Sequence, residues 1–383
     1  MQGTDRVAEA AGTTVPDSHA EAERLMRICN ACRYCEGLCA MFQGMALRRT
    51  FGAGDLNHLA NLCHNCGACY HDCQYAPPHE FAVNVPVAMA ELRPVAWQQY
   101  AWPGFLAPLF RRNGTRIAVL AALSVAVFLF GLMAVRDPAV MFGSHTGPGA
   151  FYRILPHGTM AVLFGGAFLF ALLAMAMSLR NAWRSDGISV PVSGGDGGLT
   201  GGWRTALRDA ATLRNLDGGG AGCMNDSDRP DDRRKHYHHA TLLGFGLCLA
   251  STSVATLSHY LLGWQAPYSW YSLPVVLGTL GGVGLVVGPV GLLRARARRA
   301  AEVRSPETAG MDRAFIWMLL AVALTGLALL VLRGTPAMGS LLAVHMGFVF
   351  VFFLTMPYGR FMHGLHRFAA LLRHAMERQS RGG

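Results

Sequence analysis

Apolar positions follow two regimes along the chain. Up to about residue 115 they alternate with polar ones over a few residues. Beyond it come six long apolar runs, at 117–135, 154–179, 240–262, 273–293, 314–332 and 338–356. Each approaches the roughly 20 residues that a hydrocarbon core of about 30 Å demands of a helix. A polar interval at 181–235, rich in glycine and aspartate, parts the second run from the third and is expected to be loosely folded. The pattern predicts a mostly α chain: a polar helical module first, then a six-helix transmembrane domain.

Composition agrees. Of 383 residues, 52% are hydrophobic and 15% charged, against about a quarter charged in soluble domains. The net charge is +10, with Lys235 the sole lysine. Alternating the six runs puts twenty basic residues on the N-terminal side (nine from Arg180 to Lys235, six from Arg294 to Arg313, five from Arg360 to Arg381). Only Arg136, Arg153 and Arg333 face the other side. This positive-inside bias expects an inner, cytoplasmic membrane with both termini in the cytosol. Inner-leaflet anchoring by membrane lipid then explains the arginines without nucleic acid. Residues 1–28 are polar and lack the apolar core of a secretory signal. The spacing Ser18-x-x-Glu21 reads as a capping box opening a helix through Ile28. Asp55 reads as the cap of a short helix ending near residue 62. The uncharged, aromatic stretch 263–272 reads as an outer interfacial turn. Glycines at 278, 282, 284 and 288 read as a helix-packing face.

Eight of ten cysteines fall between residues 29 and 73. Cys29, Cys32, Cys35 and Cys39 have the spacing C-x2-C-x2-C-x3-C, and Cys63, Cys66, Cys69 and Cys73 repeat it. In a reducing compartment such clusters bind metal more often than they form disulfides. Zinc sites use paired ligands, not a third cysteine at this interval. In two-cluster ferredoxins the fourth cysteine of each run crosses to the other cluster. The expected ligand sets are therefore Cys29, Cys32, Cys35 and Cys73 for one [4Fe-4S] cluster, and Cys63, Cys66, Cys69 and Cys39 for the second. Ala40 and Gln74 stand where the bacterial run has proline. His64, His71 and His79 read as flanking or exposed, Cys223 as an unremarkable loop thiol, and Cys248 as a small apolar residue.

Clusters outside a membrane need a route for electrons into it, and ionisable residues in apolar helices are the candidates. The third and sixth runs are antiparallel, so His238 or His239 would meet His363 at the inner end, and His259 would meet His345 towards the outer end. Two such pairs are what two bis-histidine b haems require, and one or two haem b are expected. His345 and His363, eighteen residues apart, share one face of a continuous helix about 27 Å apart in rise. From His259, His238 has the better rotational spacing, and His239 stays open. His157 is a substitute ligand or a quinone hydrogen-bonding group.

The strings at 29–37, 61–70 and 74–84, with 238–240, 250–260, 277–282 and 355–364, resemble the tricarballylate, or citrate, utilization protein B family. The resemblance spans about residues 25–375. It implies a membrane-anchored iron–sulfur and haem protein that reoxidises the flavin of a partner, an FAD-dependent tricarballylate dehydrogenase on the cytosolic face, and passes electrons to quinone. The membrane half is also similar, more loosely, to the gamma subunit of respiratory nitrate reductase, whose transmembrane histidines hold two b haems. No G-x-G-x-x-G fingerprint follows a strand, so flavin is expected on the partner. No residue is assigned acid–base chemistry, so the chain reads as the electron-transfer subunit of an oxidoreductase. The alternatives are the membrane arm of another flavoprotein or heterodisulfide-type reductase, or a redox-regulated transporter. The expected layout is a disordered 1–20, a ferredoxin-like domain at 21–100, a transmembrane domain at 101–375 and a tail at 376–383.

Overall fold

A computed structural model describes residues 17–185, 198–220 and 222–380, and every regular element among them is helical. The expectations for 1–16, 186–197 and 381–383 lie outside the described residues. Five helices form the first module: α1 (Ser18–Cys32), α2 (Ala40–Ala46), α3 (Ala53–Leu62), α4 (Ala68–His71) and α5 (Val85–Tyr100). The cap of α1 is Asp17, whose carboxylate accepts from the His19 amide at 3.1 Å, so Ser18 is already the first helical residue. Gly52, not Asp55, begins α3. Asp55 instead pairs with buried Arg48 at 2.6 Å. That ion pair satisfies an otherwise isolated buried cation, which outweighs a cap.

The membrane half runs α6 (Asn113–Val135), the short α7 (Pro138–Met141) and α8 (Ala150–Ile154), α9 (His157–Ser185), α10 (Gly198–Ala211), α11 (Arg233–Leu262), α12 (Leu273–Arg298), α13 (Pro306–Leu332) and α14 (Met338–Thr355). A last helix, α15 (Met362–Gln379), follows. Six segments are long and apolar enough to cross a membrane, as in a multi-pass membrane protein. Large apolar side chains such as Val127, Phe130, Leu257 and Leu280 stand exposed on them, an arrangement suited to lipid. The second span starts at His157 because Pro156 disfavours helix in the residue before it. The glycines of α12 take close neighbours: a Cβ on Gly284 would meet Gly244 of α11, and one on Gly282 would meet Leu327 of α13. Cys248 lies against Gly281 in the same seam.

Three expectations about the later elements change. The sixth apolar run ends at Thr355, where Pro357 and the extended Gly359 break the helix before α15. His345 and His363 therefore stand on different helices. And α15 leaves the bundle: Leu371, Leu372 and Met376 bury into one core with Leu25, Met41 and Leu59 of the first module. Its Glu377 receives Arg48 at 2.9 Å. Part of the 181–235 interval joins this core too. Ala206 of α10 is buried there, Trp203 lies against Phe368, and the Asn215 side-chain Oδ1 accepts from the Ala40 amide. The interval is thus folded, not loose, over its described second half.

Candidate metal centre

The chain delivers its eight cysteines from helix ends and turns. Cys29 and Cys32 close α1, Cys39 caps α2, Cys63 caps the end of α3, and Cys69 lies in α4. Their electrostatic neighbours sort them into two quartets. Burial first, then Cys35, Cys73 and Cys32, push the Cys29 thiol up to about 12. Burial and then Cys66 and Cys63 push the Cys39 thiol up to about 12. Cys69, raised by burial, neighbours Cys66, Cys63 and Cys39, and beyond them Cys35, so the quartets adjoin. Cys73 thus sits with the first run and Cys39 with the second. The first quartet lines an open hollow of about 370 Å³, with Cys32 exposed and Tyr34 73% exposed beside it. The second lines a tighter one with Asn215 and Gly218. Among the described residues no group of three His, Cys, Asp or Glu is placed to hold a single metal ion. Four thiols around a shared space are the donor set that a cubane takes, so the fit holds for each quartet.

The second quartet is fastened to the membrane half by arginines. Arg367 of α15 donates to the carbonyls of Cys63 (2.7 Å) and Asn61 (3.2 Å). Arg234 at the start of α11 donates to the carbonyls of Asn65 (2.7 Å) and His64 (3.3 Å). Arg299, just after α12, holds the Asn65 side chain at 2.7 Å. Within the first module, Arg93 of α5 holds the Ala60 carbonyl at 2.9 Å. Burial and then Arg234 pull the Arg299 guanidinium down to about 9. Arg234, Arg299 and Arg367 were expected as lipid anchors. Their hydrogen bonds make them instead a clasp between the two halves.

Below this clasp the rings of His238 and His363 lie 5.9 Å apart, nearly perpendicular at 83°. His363 Nδ1 donates to the Arg360 carbonyl at 2.6 Å, which leaves Nε2 unprotonated as a metal donor. His238 Nδ1 is buried with no hydrogen-bond partner. His239 turns the other way, its Nε2 donating to the Ala211 carbonyl at 3.1 Å. The donor set at this level suits one bis-histidine haem. At the far end the expected partners separate. His259 stacks on His157 at 3.7 Å and donates to the Trp264 carbonyl at 3.1 Å. His345 packs against Gly326 and donates to the Thr325 hydroxyl at 3.0 Å. Short loops at that end seat His157 opposite His259, a pairing that helix rotation alone does not reveal.

Sequence reasoning passed over three groups. Cys223 is fully buried, 3.6 Å from the Cys66 carbonyl and 3.8 Å from Arg234. The carbonyl of its neighbour Met224 lies against Gly67, whose φ is +91°. His366 is buried between Trp97 and Tyr100. The arginine clasp is the third. Glycines flanking Cys223 on a short, otherwise polar stretch were the one available signal for a tight approach.

A family model described as Citrate utilization protein B Fer4-like domain matches residues 22–101, and one described as Citrate utilization protein B matches residues 110–383. The chain is 46% identical over 377 residues to citrate utilization protein B of Escherichia coli, covering 97% of this chain and 96% of that one. No solved structure matches the chain. With an N-terminal Fer4-like domain and a membrane half both matched, the chain belongs to the citrate utilization protein B family.

Proposed function

We propose that the chain is a membrane-anchored electron-transfer protein serving a flavoprotein dehydrogenase of tricarballylate or a related tricarboxylate. Cys29, Cys32, Cys35 and Cys73 would hold one [4Fe-4S] cluster and Cys63, Cys66, Cys69 and Cys39 the other. His238 and His363 would hold a b haem. His259 and His345, with His157, remain the candidates for a second. When bound, these groups supply one-electron carriers between a two-electron flavin hydroquinone and membrane quinone.

The observation that carries the reading is the bond from Arg367 to the Cys63 carbonyl, four residues along α15 from His363. It fixes the second quartet beside the histidine pair. The first quartet, with its exposed Cys32 and Tyr34, is left at the surface for the donor. Arg234 and Arg299 hold the same ligand loop from α11 and α12, so the two modules keep one spacing. Twenty basic residues on the cysteine side, against three on the other, support a cytosolic placement of that module. The name of the Escherichia coli relative supports a tricarboxylate donor. The test is purification of the full chain from iron- and haem-replete cells. A b-type haem spectrum with about eight cluster irons is expected, both reduced on adding the reduced dehydrogenase. Haem-free protein would overturn the histidine assignment.

A further inference from the structure

Six guanidinium groups crowd the junction of the two modules. Arg93, Arg234, Arg296, Arg299, Arg360 and Arg367 arrive at it, and Asp312 pairs with two of them, Arg296 and Arg360. Most of their hydrogen bonds go to backbone carbonyls. Carbonyls satisfy N–H donors but do not cancel charge, and a buried uncompensated cation is costly. Counting the second cluster as a dianion still leaves cations in excess. Two observations locate the missing anion. Arg93 is 1% exposed, and its Nη2 is buried without a hydrogen-bond partner. Arg360 shares Asp312 with Arg296, its Nε 3.1 Å from Oδ1, at the same junction. Arg360 is also the residue whose carbonyl fixes the His363 ring, and it lies within electrostatic range of both His363 and His238.

We propose that Arg360, backed by Arg93 and Arg367, binds the propionate carboxylates of the haem held by His238 and His363. This rests on the haem reading above. A guanidinium fork binds a carboxylate through two parallel hydrogen bonds, so two propionates supply both the missing charge and the missing acceptors. The junction is then locked by the haem itself, as arginines that hold the Cys63–Cys66 loop stand beside one that holds the porphyrin edge.

The test uses the full chain made in haem-deficient cells and placed in phosphatidylcholine nanodiscs. It is titrated with haem b and with its dimethyl ester, which lacks both carboxylates. Wild type should prefer haem by about tenfold to hundredfold. Arg360→Gln should lose most of that preference, and Arg360→Lys should retain part of it. Cluster iron equal to wild type in both variants shows that they fold. Equal binding of the two porphyrins by wild type would overturn the propionate site alone, and binding of neither would overturn the haem reading as well. Adding phosphatidylglycerol should leave the preference unchanged. Its loss there would assign the arginines to lipid phosphate instead.

Discussion

Nη2 of Arg367 donates to the carbonyl of Cys63 at 2.7 Å, one turn along α15 from His363. A single side chain thereby joins the loop of the second cysteine quartet to the helix that carries one of the paired imidazoles. Replacing it with glutamine removes two charge-assisted bonds, worth about 3–6 kcal/mol locally. Arg367→Gln is expected to lose second-cluster iron while keeping the first cluster, as iron analysis and cluster EPR would show. Wild-type iron content would refute this role.

The quartets cross between runs, with Cys39 beside Cys63 and Cys66, and Cys73 beside Cys29 and Cys35. Cys39→Ser should therefore abolish the second cluster's signal although Cys39 belongs to the first run. Cys73→Ser should abolish the first. Loss of the opposite signals would mean that each run serves its own cluster.

His238 faces His363, and His239 faces the Ala211 carbonyl. His238→Ala and His363→Ala are expected to lose the same haem, with His239→Ala keeping it and giving up about 1 kcal/mol of one hydrogen bond. Haem quantification in the three variants checks this, and haem loss confined to His239→Ala would reverse the assignment. His345→Ala should spare both clusters.

Much of this was legible in the chain. Cysteine spacing is local, and one turn presents three thiols whatever lies around it. The six spans are equally local, since each satisfies its own backbone in lipid. What was hidden is tertiary. The apolar stripe of α15 shows that it buries a face, not that the face lies against Leu25 and Leu59. Arginines near span ends have one appearance in sequence whether they meet lipid phosphate or the carbonyls of Cys63 and Asn65. The break at Pro357 and Gly359 was visible in principle and decides that His345 and His363 do not share a helix.

Cys223 and Met224 form a strap against the second quartet's loop, and the Met224 carbonyl leaves no room for a Cβ on Gly67. Gly67→Ala adds that collision to a left-handed φ of +91°, itself worth about 1–2 kcal/mol. The strap should lift, and Cys223, fully buried in the native fold, should become open to alkylation. Mass spectrometry of the labelled protein checks this. An unlabelled Cys223 in the variant would show that the strap holds without Gly67.

The most direct test of the proposed electron path is anaerobic mixing of the purified full chain with a reduced flavoprotein dehydrogenase of the proposed class, followed by optical spectroscopy. Cluster bleaching followed by a reduced b-haem band is expected in wild type. In His363→Ala the bleaching should persist without the band of the haem proposed for His238 and His363. Haem reduction at the wild-type rate in a variant lacking the second cluster would contradict passage through the Cys63 quartet.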